Sequence, residues 1–295
     1  MRVKRDGRSV TVEVAADGDG LVSRAGTALL AQVADRLGLS QALSVRLAVL
    51  KRRRRGHDPG RVIGDLAVML ADSAECVADL GAVRDPQALF GEVASHSTAF
   101  RVIDRVACGR LLDHLRAAHA RARERFWTLH GAPQRLTIDI DATLITAHSE
   151  KQGAAGNSKG GYGFHPLHAY ADETREALAV LLRPGNAGSN TAADHKVVLD
   201  RALEQIPREQ IERIEILVRA DRAGATHGLA DYCREANMRF SFGYDLTEPV
   251  RAVILRLPDD AWVAALDQDG SERENGEVAE SPSTSTSPPG RSDRG

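Results

Sequence analysis

At Gly131 the hydrophobic period of the chain changes from that of helices to that of strands, and this switch narrows the architectures open to it. Upstream, from Ala25 to about His130, apolar residues recur at helical spacing. Leu29, Leu30, Val33, Ala34 and Leu37 follow the 3.6-residue period of a first helix, which Gly38 closes. Ser40 is placed to cap a short second helix ending in Lys51, Arg52, Arg53, Arg54 and Arg55. Asp58-Pro59 and Asp85-Pro86 each read as an N-cap followed by proline at the first helical position. Ser97 or Thr98 reads as a further cap, and Leu111, Leu112, Leu115 and Phe126 mark the inner face of a long helix. Downstream, LTIDIDATLI is a strand, a glycine-rich stretch leads into HPLHAYAD, and EALAVLLRP is a third strand. These predict an antiparallel meander. A helix (TAADHKVVLDRALEQI), a buried strand (IEILVRAD), a helix (ATHGLADYCREA), a strand (MRFSFGYD) and a short helical piece around Val250 to Leu255 follow.

The order β-β-β-α-β-α-β predicts an α/β fold with a ribonuclease-H-like mixed sheet core, preceded by an all-helical N-terminal domain. The expected domains are a strand and turn segment at 1–20 (SVTVEV, then DGDG), a helical DNA-binding domain at 21–132, a catalytic core at 133–278 and a disordered tail at 279–295. Charge divides at nearly the same place. Residues 1–135 carry 22 Lys and Arg against 15 Asp and Glu, whereas residues 136–295 carry 17 against 26. A basic module for a polyanion joined to an acidic one with another task is the expectation. Cys76, Cys108 and Cys233 are widely spaced with no C-x-x-C pair, which argues against a disulfide framework or zinc site and for a cytoplasmic location. The most apolar stretch, Ile63 to Val83, is interrupted by Asp65, Asp72, Glu75 and Asp79, too many acids for a membrane span.

Asp139 and Asp141 sit two apart on the first strand, so their carboxylates share one face. Like charges held together repel, and a divalent cation is the obvious remedy. Asp221 ends the second buried strand, and two strand-end acids can hold Mg²⁺ or Mn²⁺ through oxygen ligands. Phosphoryl transfer on DNA is chemistry that such acids support.

The strings LTIDIDATLITAHSEKQGAAGNSKGGYGFHPLHAYAD, RPGNAGSNTAADH and VRADRAGAT resemble the DDE transposases of insertion-sequence family 1380 and their insertion-sequence-four relatives. The resemblance covers roughly Arg24 to Asp269. It implies a catalytic acid at Asp141, in Asp141-Ala142-Thr143, with Asp139 as the second choice, and another at Asp221, in Ala220-Asp221-Arg222. It further implies double-stranded DNA as partner (terminal inverted repeats and target), Mg²⁺ or Mn²⁺ as cofactor, a nucleoid-associated cytoplasmic location and, as an open expectation, a homodimer. The family's third acid is a Glu in a Tyr-x-x-Arg-x-x-x-Glu context. Neither Tyr232 nor Tyr244 has Arg three residues on, so the chain is expected to be truncated before that Glu, and inactive or DNA-binding only.

Asp139-Ile140-Asp141-Ala142-Thr143 also fits the D-x-D-x-T motif of haloacid-dehalogenase-type phosphatases, in which Asp139 would attack phosphorus and Asp141 act as acid. That motif usually opens its domain, and a parallel sheet would need a helical crossover where glycine-rich hairpin text stands. For DNA contact, Lys51 to Arg55 is the sharpest basic feature, each phosphate neutralised releasing a counterion. Lys159, in a glycine-rich turn that lacks Walker spacing, and Arg222, beside Asp221, are the other candidates.

Overall fold

The structure is a computed structural model that describes residues 25–51, 53–188, 191–267 and 269–280. The strand expected at 9–14, Arg52 and the tail from Ser281 lie outside the described residues.

From Ala25 to His130 the described chain is helical: α1 (Ala25–Arg36), α2 (Leu39–Leu47), α3 (Pro59–Ala71), α4 (Gly81–Arg84), α5 (Gln87–Phe90), α6 (His96–Cys108) and α7 (Leu112–His130). α2 lies against both α3 and α7. Val62, Leu66, Met69, Leu80, Val83, Phe90 and Val102 form a buried cluster around α3. α3 begins as the sequence predicts: the Asp58 side chain accepts from Arg61 N–H at 3.0 Å, and Pro59 follows in the first turn. Asp58→Ala should therefore cost about 1 kcal/mol of stability, readable as a lowered urea midpoint at unchanged slope.

Several expectations fail. Asp85 does not begin a helix; it is the C-cap of α4, and Pro86 stands at the N-cap of α5. Ser95, not Ser97 or Thr98, caps α6, because its side chain is the one that accepts from Thr98 N–H. α7 turns Ala118, Ala122, Arg123 and Trp127 inward, while Leu112 and Phe126 are exposed. α1 likewise buries Thr27, Ala28 and Ala31 and leaves Leu29, Leu30 and Val33 exposed. Lys51 does not end a helix: α2 stops at Leu47 and a 3₁₀ turn spans Ala48–Leu50.

The strands begin with β1 (Arg135–Ala142). β2 (Ile145–Thr146), β3 (Ala155–Gly156) and β4 (Tyr162–Phe164) form a small separate sheet in the order β2-β4-β3. β5 (Leu167–Ala171) and β6 (Glu176–Leu181) return to β1. Then come α8 (Ala192–Leu203), α9 (Arg208–Ile211), β7 (Glu215–Ala220), α10 (His227–Glu235), β8 (Arg239–Phe242) and α11 (Glu248–Ile254). A hairpin of β9 (Trp262–Leu266) and β10 (Glu272–Ala279) ends the described chain. The main sheet has the order β6-β5-β1-β7-β8, with β1, β5 and β6 antiparallel and β7 and β8 parallel to β1. It is a mixed sheet built on β1.

Two compact units emerge. One holds the helices before residue 133 together with Leu203–Arg213; the other holds residues 134–202 and those from Ile214. Within the first, the buried Arg123 of α7 donates to the Gln205 carbonyl at 2.8 Å. Among the described residues no helix is long and apolar enough to cross a membrane.

Candidate active site

β1 and β7 run side by side in the same direction, with Asp139 opposite Arg219 and Ile140 opposite Ala220. Asp141 and Asp221 are the next residue on each, so this register sets the two acids next to each other at the carboxyl end of the parallel pair. Alternation gives Asp139, Asp141 and Arg219 one face, away from the buried Leu136, Ile138 and Ile140. Both Asp141 and Asp221 are exposed.

Asp139 is engaged elsewhere. The Arg219 guanidinium grips it with two bonds, Nε to Oδ1 at 2.5 Å and Nη2 to Oδ2 at 2.6 Å, and also reaches Asp172 at 3.1 Å. The Asp139 contact holds the Arg219 pKa well above its ordinary value. Both partners remain partly exposed, so the pair is worth no more than about 1 kcal/mol, but it orients and neutralises Asp139.

Asp141 and Asp221 each use one oxygen to accept a backbone N–H, from Ala142 and Ala223 respectively, both at 2.8 Å. Among the described residues no side-chain cation hydrogen-bonds to either. Arg222, adjacent to Asp221, is directed to Asp245 at 2.8 Å. A pair of carboxylates without a hydrogen-bonded side-chain cation among the described residues, offering hard oxygen ligands, fits Mg²⁺ or Mn²⁺ in donor chemistry. Among the described residues, however, no three His, Cys, Asp or Glu side chains gather into a cage.

Two imidazoles border the acids. His168 on β5 lies directly across from Asp141. Burial pulls its pKa below the ordinary value although the Asp141 charge acts in the opposite direction. Its ring stacks on Tyr170 at 5.7 Å. His195, in the first turn of α8, is only 2% exposed and donates from Nδ1 to the Thr191 carbonyl at 2.9 Å, which leaves Nε2 as the lone-pair nitrogen. Beside it the chain turns after Asp221, and a Cβ at Gly224 would come within 3.7 Å of the His195 ring and 2.4 Å of the Ala220 Cβ. The buried Arg183 fixes the segment before α8, donating to the carbonyls of His165 (2.9 Å) and Gly188 (3.0 Å) and to Asp194 (3.2 Å).

His195 was not singled out by the sequence reading, since one histidine in a helix carries no signal until the turn it packs against is known. Burial is the main cause lowering its pKa, offset in part by the Thr191 bond and the charges of Asp194 and Asp221. A histidine with a depressed pKa in the fold binds fewer protons there than when unfolded. Its contribution is therefore fully present above the ordinary value of 6.5 and is lost as pH falls below it. His195→Gln should flatten the decline in unfolding free energy on acidification below about pH 6.5. An unchanged slope would show that His195 is not the group responsible.

Of the residues expected to contact DNA, Lys51 and Arg53 to Arg55 are exposed in the loop before α3, and Lys159 is exposed in the β3–β4 turn, its N–H bonded to Asn157.

No curated protein matches the chain. Solved structures with some similarity include a piggyBac transposase synaptic complex with hairpin DNA, at 11% identity and a TM-score of 0.41, covering 81% of this chain and 56% of that one. Two Mos1 structures are also similar. A transposase paired-end complex with the left transposon end has 13% identity, a TM-score of 0.26 and coverage of 64% of this chain and 61% of that one. A mariner paired-end complex with Mn has 11% identity, a TM-score of 0.26 and coverage of 75% and 78%. The chain thus spans less than two thirds of the piggyBac chain and of the first Mos1 chain. The profile described as Transposase DDE domain group 1 matches residues 4–284, nearly the whole sequence, and the chain belongs to that family of DDE transposases.

Proposed function

We propose that the chain acts on double-stranded DNA, with its helical residues binding the duplex and Asp141 and Asp221 holding a divalent cation at the scissile phosphate. The supporting observation is the β1–β7 register, which runs the two acids side by side at one end of the sheet. The strand order, with three antiparallel strands and two parallel to the first, supports a ribonuclease-H-like core. Mg²⁺ and Mn²⁺ suit two carboxylate oxygens, and one of the similar Mos1 complexes is described as containing Mn, another Mg. When bound, such a cation supplies positive charge against the charge that builds on the phosphate in the transition state. The protein's own part is to hold that position: Asp141 and Asp221 ligate, their backbone N–H bonds fix the carboxylate planes, and Arg219 keeps Asp139 out of the set. Terminal inverted repeats and target DNA are the proposed substrates, and the protein would act in the cytoplasm at the nucleoid. Nothing supports the phosphatase alternative: Arg219 occupies the proposed nucleophile Asp139, and the strand meeting β1 after the hairpin text is antiparallel.

Since no third carboxylate joins the pair among the described residues, duplex binding should exceed strand cleavage as the main activity. Incubating the purified chain with labelled duplex and Mg²⁺ tests this. A shifted band with uncut strands is expected, and rapid nicking would overturn the two-carboxylate site. No binding at any salt would remove the DNA reading itself.

A further inference from the structure

α2 is anchored on one side and open on the other. Leu43 and Leu47 are buried, and the backbone at Ser44 lies in close contact with Gly60 of α3. His114 of α7 donates from Nδ1 to the Arg46 carbonyl at 2.8 Å. Away from these anchors stand Gln41, Val45 and, in the following 3₁₀ turn, Val49, spaced one helical turn apart. Val45 is 69% exposed and Val49 73%. A groove flanks each side of this ridge. The one toward α7, of about 780 Å³, is lined by Arg46, Arg121, Arg125 and Thr128; the other, of about 510 Å³, by Ser40, Ser44 and Arg61 with one acid, Asp35. Gln41 lines both, so it stands at the crest. Within the first groove Glu124 is the sole acid, and it is bound to Arg121. Entry to the ridge is a tight turn after α1, where Gly38 takes a left-handed φ of 74°.

Two exposed valines with an amide at the crest and arginines along the flank suit the major groove of duplex DNA better than they suit water. A glutamine amide can pair with both edge groups of adenine, a valine can pack on the thymine methyl group, and arginines reach the phosphates on either side. We propose that α2 is the base-reading helix, with Gln41 and Val45 against base edges and Arg46 and Arg125 on flanking phosphates. This rests on the DNA-binding reading above and names the element that supplies sequence preference, which Lys51 to Arg55, as a basic run, would not.

Two probes test it on the full chain. With a mixed-sequence duplex of about 30 base pairs, Arg46→Ala with Arg125→Ala should reduce the slope of log affinity against log salt by about 1.8, two phosphate contacts' worth. With a random-core duplex library, the wild-type chain should enrich a motif, and Gln41→Ala with Val45→Ala should lose about tenfold preference at one or two of its positions while keeping mixed-sequence affinity. An unchanged motif, or no motif enriched by a wild type that does bind DNA, overturns α2 as the reader and leaves the broader function standing. An unchanged slope overturns the two arginines' phosphate contacts. A changed sedimentation mass with an unchanged motif would make the ridge a protein contact instead. Failure of the wild type to bind either probe sinks the DNA-binding reading as well.

Discussion

Substituting asparagine for Asp141 or Asp221 is expected to weaken Mn²⁺ binding by about 100-fold, close to 2.7 kcal/mol, whereas Asp139→Asn should leave it within about twofold. The contrast follows from what each carboxylate already does. Asp141 and Asp221 accept one backbone N–H apiece and carry no hydrogen-bonded cation among the described residues, so their charge remains for a metal. The Asp139 charge is spent on two short bonds from Arg219. Asparagine preserves the shape and removes the charge, and the local turns should persist. Mn²⁺ titration followed by electron paramagnetic resonance reads affinity directly and does not depend on cleavage. Equal losses in all three variants would mean that Asp139 shares the ligand set, and no loss in any would end the metal reading.

Gly60→Ala should be among the most damaging single-methyl changes available to the chain. A Cβ there would lie 2.2 Å from the Ser44 nitrogen, 2.3 Å from the Leu43 carbonyl carbon and 2.4 Å from the Ser44 Cα. All three are backbone atoms of α2, so no side-chain rotation relieves the clash and the two helices must separate. A cost of about 3 kcal/mol or more is expected, lowering the melting temperature by about 6–12 °C. Gly64→Ala is the matching control on the same helix. Its added methyl group meets nothing within 4 Å, and replacing a mid-helix glycine should raise stability by about 0.5–1 kcal/mol. Calorimetry on the pair separates contact from helix propensity, and a melting temperature for Gly60→Ala within about 2 °C of wild type would refute the close approach.

Elements with strong local signals were legible in the sequence. Asp58-Pro59 started α3, apolar runs marked β1 and β7, and the hairpin text between them led into β5, antiparallel to β1, and β6, antiparallel to β5. What escaped depends on distant partners or weak local chemistry. The strands β2 and β3 have two residues each, too few for a period to show. β10 reads ERENGEVA, rich in charge and mostly exposed, and its pairing with β9 came without an apolar alternation to announce it. The inner face of α7 was misread because Ala118 and Ala122 bury more completely than the larger Leu112 and Phe126, a matter of how closely helices approach. In the site, Asp141 and Asp221 were readable as strand-end acids. Arg219 was not, since its bond to Asp139 spans 80 residues and follows only once β1 and β7 are known to run parallel in that register.

Leu203–Arg213 groups with helices that precede it by some seventy residues of text, and Arg123 of α7 donates to a carbonyl within that segment. A fragment stopped at residue 133 would therefore lose the acceptor that Gln205 gives a buried guanidinium, along with the buried side chain of Ile206. Genetic dissection by a single cut cannot liberate this unit intact. A transplantable version would have to splice residues 203–213 back through a synthetic connector, much as a circular permutant restores a neighbour that linear order has put out of reach.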